Sequence, residues 1–149
     1  MNYSLLHEQC KALIANETNM IANLANISAL LFQQLDEVNW AGFYMVDNVQ
    51  NELVLGPFQG LPACVRIPFD KGVCGAAART LCTQHVDDVH AFPGHIACDV
   101  ASNSEVVVPI VKDGQLVGVL DIDSPKLARF SEQDVAGLEG IVTLIEASL

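Results

Sequence analysis

Residues 105–122 read EVVVPIVKDGQLVGVLDI, and this stretch decides the fold. Two apolar, β-prone runs, 105–111 and 115–122, flank the turn residues Lys112-Asp113-Gly114. An Asp-Gly pair between apolar runs is a strong signal for a β-hairpin. The sequence therefore predicts two antiparallel strands in this region.

Further elements are predicted on both sides of this hairpin. Residues 39–46 and 52–58 are β-prone and flank turn-forming residues, which predicts a second hairpin. The remaining predicted elements are helices at 4–14, 17–35, 76–81 and 132–148 and a short strand at 64–68. Residues 84–103 are rich in Asp, His, Gly and Pro and are predicted to form a long irregular loop. The order indicates one α+β domain, 1–149, with N- and C-terminal helices on one face of a central antiparallel sheet.

Capping residues predict where two of the helices begin. Asn16, followed by the acidic Glu17, is the expected N-cap of helix 17–35. Ser131, with Asp134 three positions later, predicts a capping box at the start of the last helix.

Composition and charge exclude several classes of function. The chain has 149 residues, of which 51% are hydrophobic, so it is not expected to be disordered. The net charge of -11 argues against nucleic-acid binding, which needs Lys and Arg to neutralise phosphates, and against anionic membrane surfaces. We find no targeting or membrane-spanning segment, so a cytoplasmic protein is expected.

The five cysteines fall into two groups. Cys10 and Cys82 lie in helical patterns and are predicted to be small buried side chains. Cys64, Cys74 and Cys98 lie at loop edges, which suggests redox chemistry, although three unrelated thiols would give the same pattern. Cys74 is predicted at a helix N-terminus, where the helix dipole should lower the thiol pKa.

Zinc binding is the competing interpretation of these cysteines. Cys64, Cys74, His95 and Cys98 could supply four ligands. Structural zinc sites usually take their ligands in closely spaced pairs, and only His95 and Cys98 form one here. We therefore predict no metal site.

Acidic residues form a second candidate cluster. Asp121 and Asp123 are two apart on a strand and share a face, and Glu105 lies at the matching end of its hairpin partner. Three converging carboxylates would repel one another unless a cation binds or one group is protonated. A functional site is favoured over a solvated strand end because Asp is disfavoured in packed strands.

Two aromatic residues form a third candidate feature. Trp40 and Tyr44 share a strand face, with Gly42 between them. The glycine could leave a slot for a small apolar group, and ordinary core packing explains the spacing equally well.

Seven short motifs, read together, resemble the free methionine-(R)-sulfoxide reductases, single-domain enzymes of the GAF fold. The motifs are NWAGFY (39–44), LGPFQG (55–60), ACVRIP (63–68), GVCG (72–75), GHIACD (94–99), SNSE (102–105) and GVLDIDS (118–124). The resemblance covers nearly the whole chain and implies reduction of the free amino acid methionine-(R)-sulfoxide to methionine.

The resemblance also implies roles for the candidate residues. Cys98 would be the nucleophile that becomes a sulfenic acid, Cys64 the main resolving cysteine, and Cys74 a second thiol able to pair with Cys98. Thioredoxin would regenerate the enzyme, with no bound cofactor. The substrate-binding residues would be Trp40, Tyr44, Glu105, Asp121 and Asp123. Which carboxyl donates the proton stays open.

A non-catalytic GAF-type sensor of a small molecule or of oxidants is the alternative. Sensor domains are commonly fused to an output domain, and the absence of one here favours the enzyme. A homodimer is expected, since such domains usually pair and the N-terminal helices offer a surface.

Overall fold

The computed structural model describes residues 1–96 and 98–149. Its elements in chain order are α1 (Tyr3–Ile14), α2 (Met20–Gln34), β1 (Trp40–Asp47), β2 (Glu52–Gly60), β3 (Arg66–Ile67), α3 (Gly72–Thr80), β4 (Gln84–Val86), a 3-10 turn (Val89–Ala91), β5 (Ser104–Lys112), β6 (Gln115–Ser124) and α4 (Glu132–Ser148). The strands form one antiparallel sheet in the order β3-β2-β1-β6-β5-β4. Among the described residues, no helix is long and apolar enough to cross a membrane.

The sheet separates two hydrophobic clusters, because side chains alternate between the faces of each strand. One face carries Phe43, Val106 and Leu120 and packs against α2 and α4, and α1 packs on these two helices. The other carries Val107 and Val119 and packs against α3. The predicted α+β arrangement, with N- and C-terminal helices on one face, is confirmed. The opposite face, under α3, is the one that bears the candidate site residues.

The two predicted helix starts have different outcomes. The capping box of α4 is confirmed, because Ser131 and Asp134 exchange side-chain-to-backbone hydrogen bonds. Asn16 is the wrong N-cap: Asn19 caps α2 instead. The physical reason is Glu17, whose carboxylate accepts two backbone N–H groups in a turn that precedes the helix.

The prediction of an irregular loop over 84–103 is wrong at its start. Gln84–Val86 forms β4, which pairs antiparallel with the first residues of β5. In this pairing Val86 lies opposite Glu105, so β5 has a neighbouring strand on both sides where Glu105 lies. The extra strand therefore helps to bury Glu105, which is 8% exposed.

Candidate active site

A cavity of about 40 Å³ lies on the α3 face, at the end of the sheet where β1 and β5 begin and β6 ends. The predicted site residues in its wall are Trp40, Tyr44, Cys74, Cys98, Glu105, Asp121 and Asp123. The remaining one, Cys64, is joined to Cys98 by a disulfide. The structure thus brings the predicted residues together around one cavity.

The three carboxylates meet because of the strand register. Glu105 lies opposite Asp123 in the β5–β6 pair, and Asp121 precedes Asp123 by two residues on the same face. Each side chain is buried, and the carboxyl groups lie within hydrogen-bonding reach of one another. The Oδ1 atoms of Asp121 and Asp123 are buried and have no hydrogen-bond partner among the described residues. Buried polar atoms normally have partners, so these two atoms are ready to accept hydrogen bonds from a ligand.

The electrostatics of this carboxylate cluster favour protons or a cation. Burial raises the pKa of Glu105, Asp121 and Asp123 well above the usual range for carboxyl groups, and the negative charge of the neighbouring carboxylates raises it further. The described lining of the cavity contains no lysine or arginine. The cluster is therefore suited to hold a proton near neutral pH and to bind a cationic group.

Cys74 lies in the first turn of α3, where its thiol contacts the carboxylate cluster. Its Sγ is 3.5 Å from Oδ2 of Asp121, to which the thiol donates a weak hydrogen bond. The expectation of a lowered thiol pKa is wrong. Burial raises the pKa of Cys74 well above its usual value, and the negative charges of Asp121, Glu105 and Asp123 act in the same direction. These effects outweigh the dipole of a nine-residue helix.

Cys64 and Cys98 form a disulfide across two loop segments that are 34 residues apart in the chain. Their Cα atoms are 5.3 Å apart. Cys64 precedes β3, and Cys98 follows the 3-10 turn and lines the cavity. A cysteine that faces the carboxylates is thus covalently linked to one on the neighbouring segment.

The other two cysteines differ from each other in exposure. Cys10 is buried in the core between α1 and its neighbours, as predicted, and burial raises its pKa to about 11. The prediction that Cys82 is buried is wrong, because α3 ends at Thr80 and Leu81 adopts a left-handed conformation. The chain turns away from the helix there, and Cys82 is exposed.

The aromatic residues form a stack that includes one member the sequence did not indicate. The ring centroid of Trp40 is 5.7 Å from that of Tyr44 and 5.1 Å from that of Phe58. Trp40 also donates a hydrogen bond from Nε1 to the carbonyl of Leu61. Of the two interpretations of the spacing around Gly42, close packing is the one the structure supports, because a Cβ there would lie 2.3 Å from Cβ of Phe58. Gly42 thus permits close packing of β1 on β2, and its neighbour Phe58 supports Trp40.

Sequence reasoning also missed a polar group beside Cys98. The side chain of Asn39 donates hydrogen bonds to Oδ2 of Asp99 at 2.9 Å and to Oγ of Ser102 at 3.1 Å. Asp99 and Ser102 line the cavity. All three residues lie within the quoted motifs NWAGFY, GHIACD and SNSE, so the motifs contained the signal although no chemistry was assigned to these positions.

Within residues 1–96 and 98–149, one group of side chains could hold a metal ion. Ligand atoms of Cys74, Glu105 and Asp121 lie within 4.8 Å of one another, and thiolate with carboxylates is a donor set that suits zinc. The alternative set considered from the sequence cannot form in this state, because Cys64 and Cys98 are bonded to each other and have no thiolate to donate.

Comparisons with known proteins identify the family. The GAF domain family matches residues 22–149. The free methionine-R-sulfoxide reductase of Escherichia coli is 52% identical over 147 residues, covering 99% of this chain and 88% of the relative. The reduced-form structure of fRMsr of Staphylococcus aureus is 57% identical with a TM-score of 0.95, covering 99% of this chain and 95% of that one.

A substrate complex is also among the similar structures. Free methionine-R-sulfoxide reductase from Neisseria meningitidis, solved in complex with its substrate, is 46% identical with a TM-score of 0.95, covering 98% of this chain and 87% of that one. Coverage at this level includes the sheet, α3 and the segments of both bonded cysteines. The chain therefore belongs to the free methionine-R-sulfoxide reductase family of GAF-domain proteins.

Proposed function

We propose that this protein reduces free L-methionine-(R)-sulfoxide to L-methionine. The observation that carries the proposal is that a disulfide-bonded cysteine, Cys98, and a buried carboxylate cluster line one cavity. Sulfoxide reduction needs both parts, since a thiolate must attack sulfur while the oxygen takes up protons. The names of the close relatives support the same substrate.

In the proposed first step, the Cys98 thiolate attacks the sulfoxide sulfur. A protonated carboxyl of the cluster supplies a proton to the sulfoxide oxygen. The S–O bond of the substrate breaks, and the protonated oxygen is transferred to the sulfur of Cys98. Methionine leaves, and Cys98 becomes a sulfenic acid, so the sulfoxide is reduced and the thiol is oxidised by two electrons. The raised carboxyl pKa values favour this role, because they keep an acid protonated near neutral pH.

In the second step, the Cys64 thiol attacks the sulfenic sulfur and water leaves. The product is the Cys64–Cys98 disulfide, the state in which we find the protein. We propose that thioredoxin then reduces this disulfide by dithiol exchange, which returns both thiols. Cys74 is proposed as a second resolving thiol, because it lines the same cavity as Cys98. The cycle needs no bound cofactor or metal.

The substrate is proposed to bind through both of its ends. Its ammonium would donate hydrogen bonds to the carboxylate cluster, where two buried Oδ1 atoms have no partner in the described part of the chain. Its S-methyl end would pack against Trp40 and Tyr44, since sulfur and methyl groups pack well on aromatic rings. A methionine sulfoxide within a polypeptide has no free ammonium, so we expect no repair of oxidised proteins.

The test is NADPH consumption with thioredoxin, thioredoxin reductase and free methionine-(R)-sulfoxide. We expect turnover that Cys98→Ser abolishes and that Cys82→Ser, a matched exposed cysteine, preserves. N-acetylation of the substrate should lower kcat/KM by about 10-fold or more, because a hydrogen bond to a charged group contributes about 1.5–3 kcal/mol. No substrate-dependent consumption would favour the sensor function, and equal turnover of the N-acetyl compound or of an oxidised protein would refute the binding mode.

We further propose a cytoplasmic homodimer. The thioredoxin-dependent cycle fits a reducing compartment, and α1 and α2 expose Leu5, Leu13 and Ile21. Light scattering of the purified chain tests the dimer, and a mass near the 16.0 kDa of one chain would contradict it.

A further inference from the structure

We propose that Asn39 and Tyr44 are positioning residues that hold the two redox cysteine segments in place, so that Cys64 and Cys98 can meet. The proposal deepens the cycle described above and rests on it for its catalytic meaning. The positioning itself is a property of the thiol pair and can be measured without substrate.

Tyr44 holds the segment of Cys64. Its hydroxyl donates a hydrogen bond to the backbone carbonyl of Cys64 at 2.9 Å. The Tyr44 side chain is 2% exposed and stacks on Trp40, so its ring cannot follow a moving loop. The Cys64 backbone is therefore tied to a fixed point on β1.

Asn39 holds the segment of Cys98. It directly precedes β1, and its backbone N–H donates to the carbonyl of Asp123 on β6. Its side chain donates to Asp99, the residue after Cys98, and to Ser102. The other carboxylate oxygen of Asp99 accepts the N–H of Ala101, so Asp99 connects Asn39 to the turn that follows Cys98.

One tether starts from β1 and the other from the residue directly before it. Residues 39 and 44 are five apart, which corresponds to about 17 Å along an extended strand. β1 pairs with β2 on one side and with β6 on the other, so it is a central, rigid element of the sheet. When the disulfide is reduced, these hydrogen bonds continue to restrain two segments that are otherwise 34 residues apart in the chain.

Thermodynamic linkage makes the consequence measurable. If the disulfide and the tethers favour the same arrangement of the segments, each stabilises the other by the same free energy. Removing a tether lowers the effective concentration of one thiol at the other. The hydrogen bonds from Asn39 to the Asp99 side chain and from Tyr44 to the Cys64 carbonyl are both part-buried, and losing either one suggests a fall of about 10-fold in the effective concentration.

The experiment equilibrates the full-length protein in buffers of reduced and oxidised glutathione. The Cys64–Cys98 disulfide is quantified by alkylation and peptide mass mapping, with no sulfoxide present. We expect Asn39→Ala and Tyr44→Phe each to lower the effective concentration about 10-fold. The matched controls are Tyr3→Phe, which removes a tyrosine hydrogen bond to Asp134, and Asn19→Ala, which removes an N-cap. Both controls should lower stability and leave the effective concentration within about 2-fold.

A charge-neutral exchange separates positioning from general damage. Asn39→Asp alone puts two carboxylates in contact, and we expect a loss larger than that of Asn39→Ala. Combining it with Asp99→Asn restores a donor and an acceptor, since the amide of residue 99 can donate to residue 39 and still accept from Ala101. We expect recovery to within about 3-fold of the parent.

Either of two results would overturn the proposal: unchanged effective concentration in Asn39→Ala and Tyr44→Phe, or equal losses in the two controls. If Asn39→Asp/Asp99→Asn does not recover the effective concentration, the positioning role of Asn39 is refuted. No turnover enters this measurement, so the positioning proposal is tested even if the chain does not bind methionine sulfoxide. The proposed reaction is tested separately by the NADPH assay.

Discussion

Replacing the buried carboxylates by amides should change how the stability of the oxidised protein depends on pH. Folding raises the pKa of Glu105, Asp121 and Asp123, so the folded protein keeps protons that the unfolded chain has released. Stability from these groups is fully present below the ordinary carboxyl pKa of about 4 and is lost as pH rises through the raised values. The cluster therefore lowers the free energy of unfolding at neutral pH.

The size of the effect follows from the number of protons retained. Each proton held by the folded state but not by the unfolded chain lowers the free energy of unfolding by about 1.4 kcal/mol per pH unit. Between about pH 5 and pH 7 one retained proton lowers the free energy of unfolding by about 3 kcal/mol, and three retained protons would lower it by about 8 kcal/mol. Total stability is commonly about 5–15 kcal/mol, so even one proton has a large effect.

The variant Glu105→Gln/Asp121→Asn/Asp123→Asn removes the part of the pH dependence of unfolding free energy that comes from these three carboxyl groups. Urea unfolding can be followed by the fluorescence of Trp40, the single tryptophan, which is 2% exposed in the folded state. We expect the stability difference between the variant and its parent to grow by about 3 kcal/mol or more from about pH 5 to pH 7.

The control for this measurement is Asp113→Asn, in the exposed β5–β6 turn, where Asn also tolerates the left-handed backbone. Its profile should run parallel to that of the parent. The pKa of His95 is lowered by burial, which gives a slope of opposite sign, but His95 is common to all variants and cancels in the difference. A difference that changes by less than about 1 kcal/mol over this range would refute a proton-retaining cluster.

Three further predictions concern packing, the resolving thiols and metal dependence. Gly42→Ala should lower the free energy of unfolding in urea by about 1–3 kcal/mol, because its Cβ would lie 2.3 Å from Cβ of Phe58. The control Gly140→Ala should not lower it, since a Cβ at that helical position meets no described atom within 4 Å. Equal effects of the two substitutions would contradict this prediction. Cys64→Ser should slow thioredoxin-dependent turnover without abolishing it, because Cys74 can still resolve the sulfenic acid. Cys64→Ser/Cys74→Ser should yield one methionine per chain in a single turnover and then stop. Continued cycling of the double variant would show another resolving thiol. Treatment with a chelator should leave kcat unchanged within about 2-fold, since no proposed step uses a metal, and loss of activity restored by zinc would count against the cycle.

The parts of the site that follow from strand periodicity could be predicted from the sequence. Asp121 and Asp123 share a face because side chains alternate along any strand, and the Asp113-Gly114 turn makes β5 and β6 antiparallel, which brings Glu105 to the same end of the sheet. Local rules do not place Glu105 directly opposite Asp123, because that pairing depends on a one-residue register shift between Ile110 and Val111. The roles of the cysteines came from the family resemblance and not from spacing.

Features that depend on non-local contacts could not be predicted. The filling of the space at Gly42 depends on β2, where the register shifts by one residue beside Gly42. Burial raises the pKa of Cys74, and carboxylates from strands that follow it by more than 30 positions raise it further, so the helix-dipole rule gave the wrong sign. Asn39 is an ordinary polar residue until the fold brings Asp99 beside it.

The cost of the carboxylate cluster and the expected substrate specificity have the same physical origin. Three buried acids without a lysine or arginine in the described lining are unfavourable in the empty site, and strand register keeps them there. A ligand ammonium supplies the missing counter-charge and donors for the unpartnered oxygens. Under the proposed function, the free amino acid relieves this cost and a peptide-bound residue cannot, because its nitrogen is a neutral amide. Selection for the free amino acid therefore follows from charge compensation, even before the size of the cavity is considered.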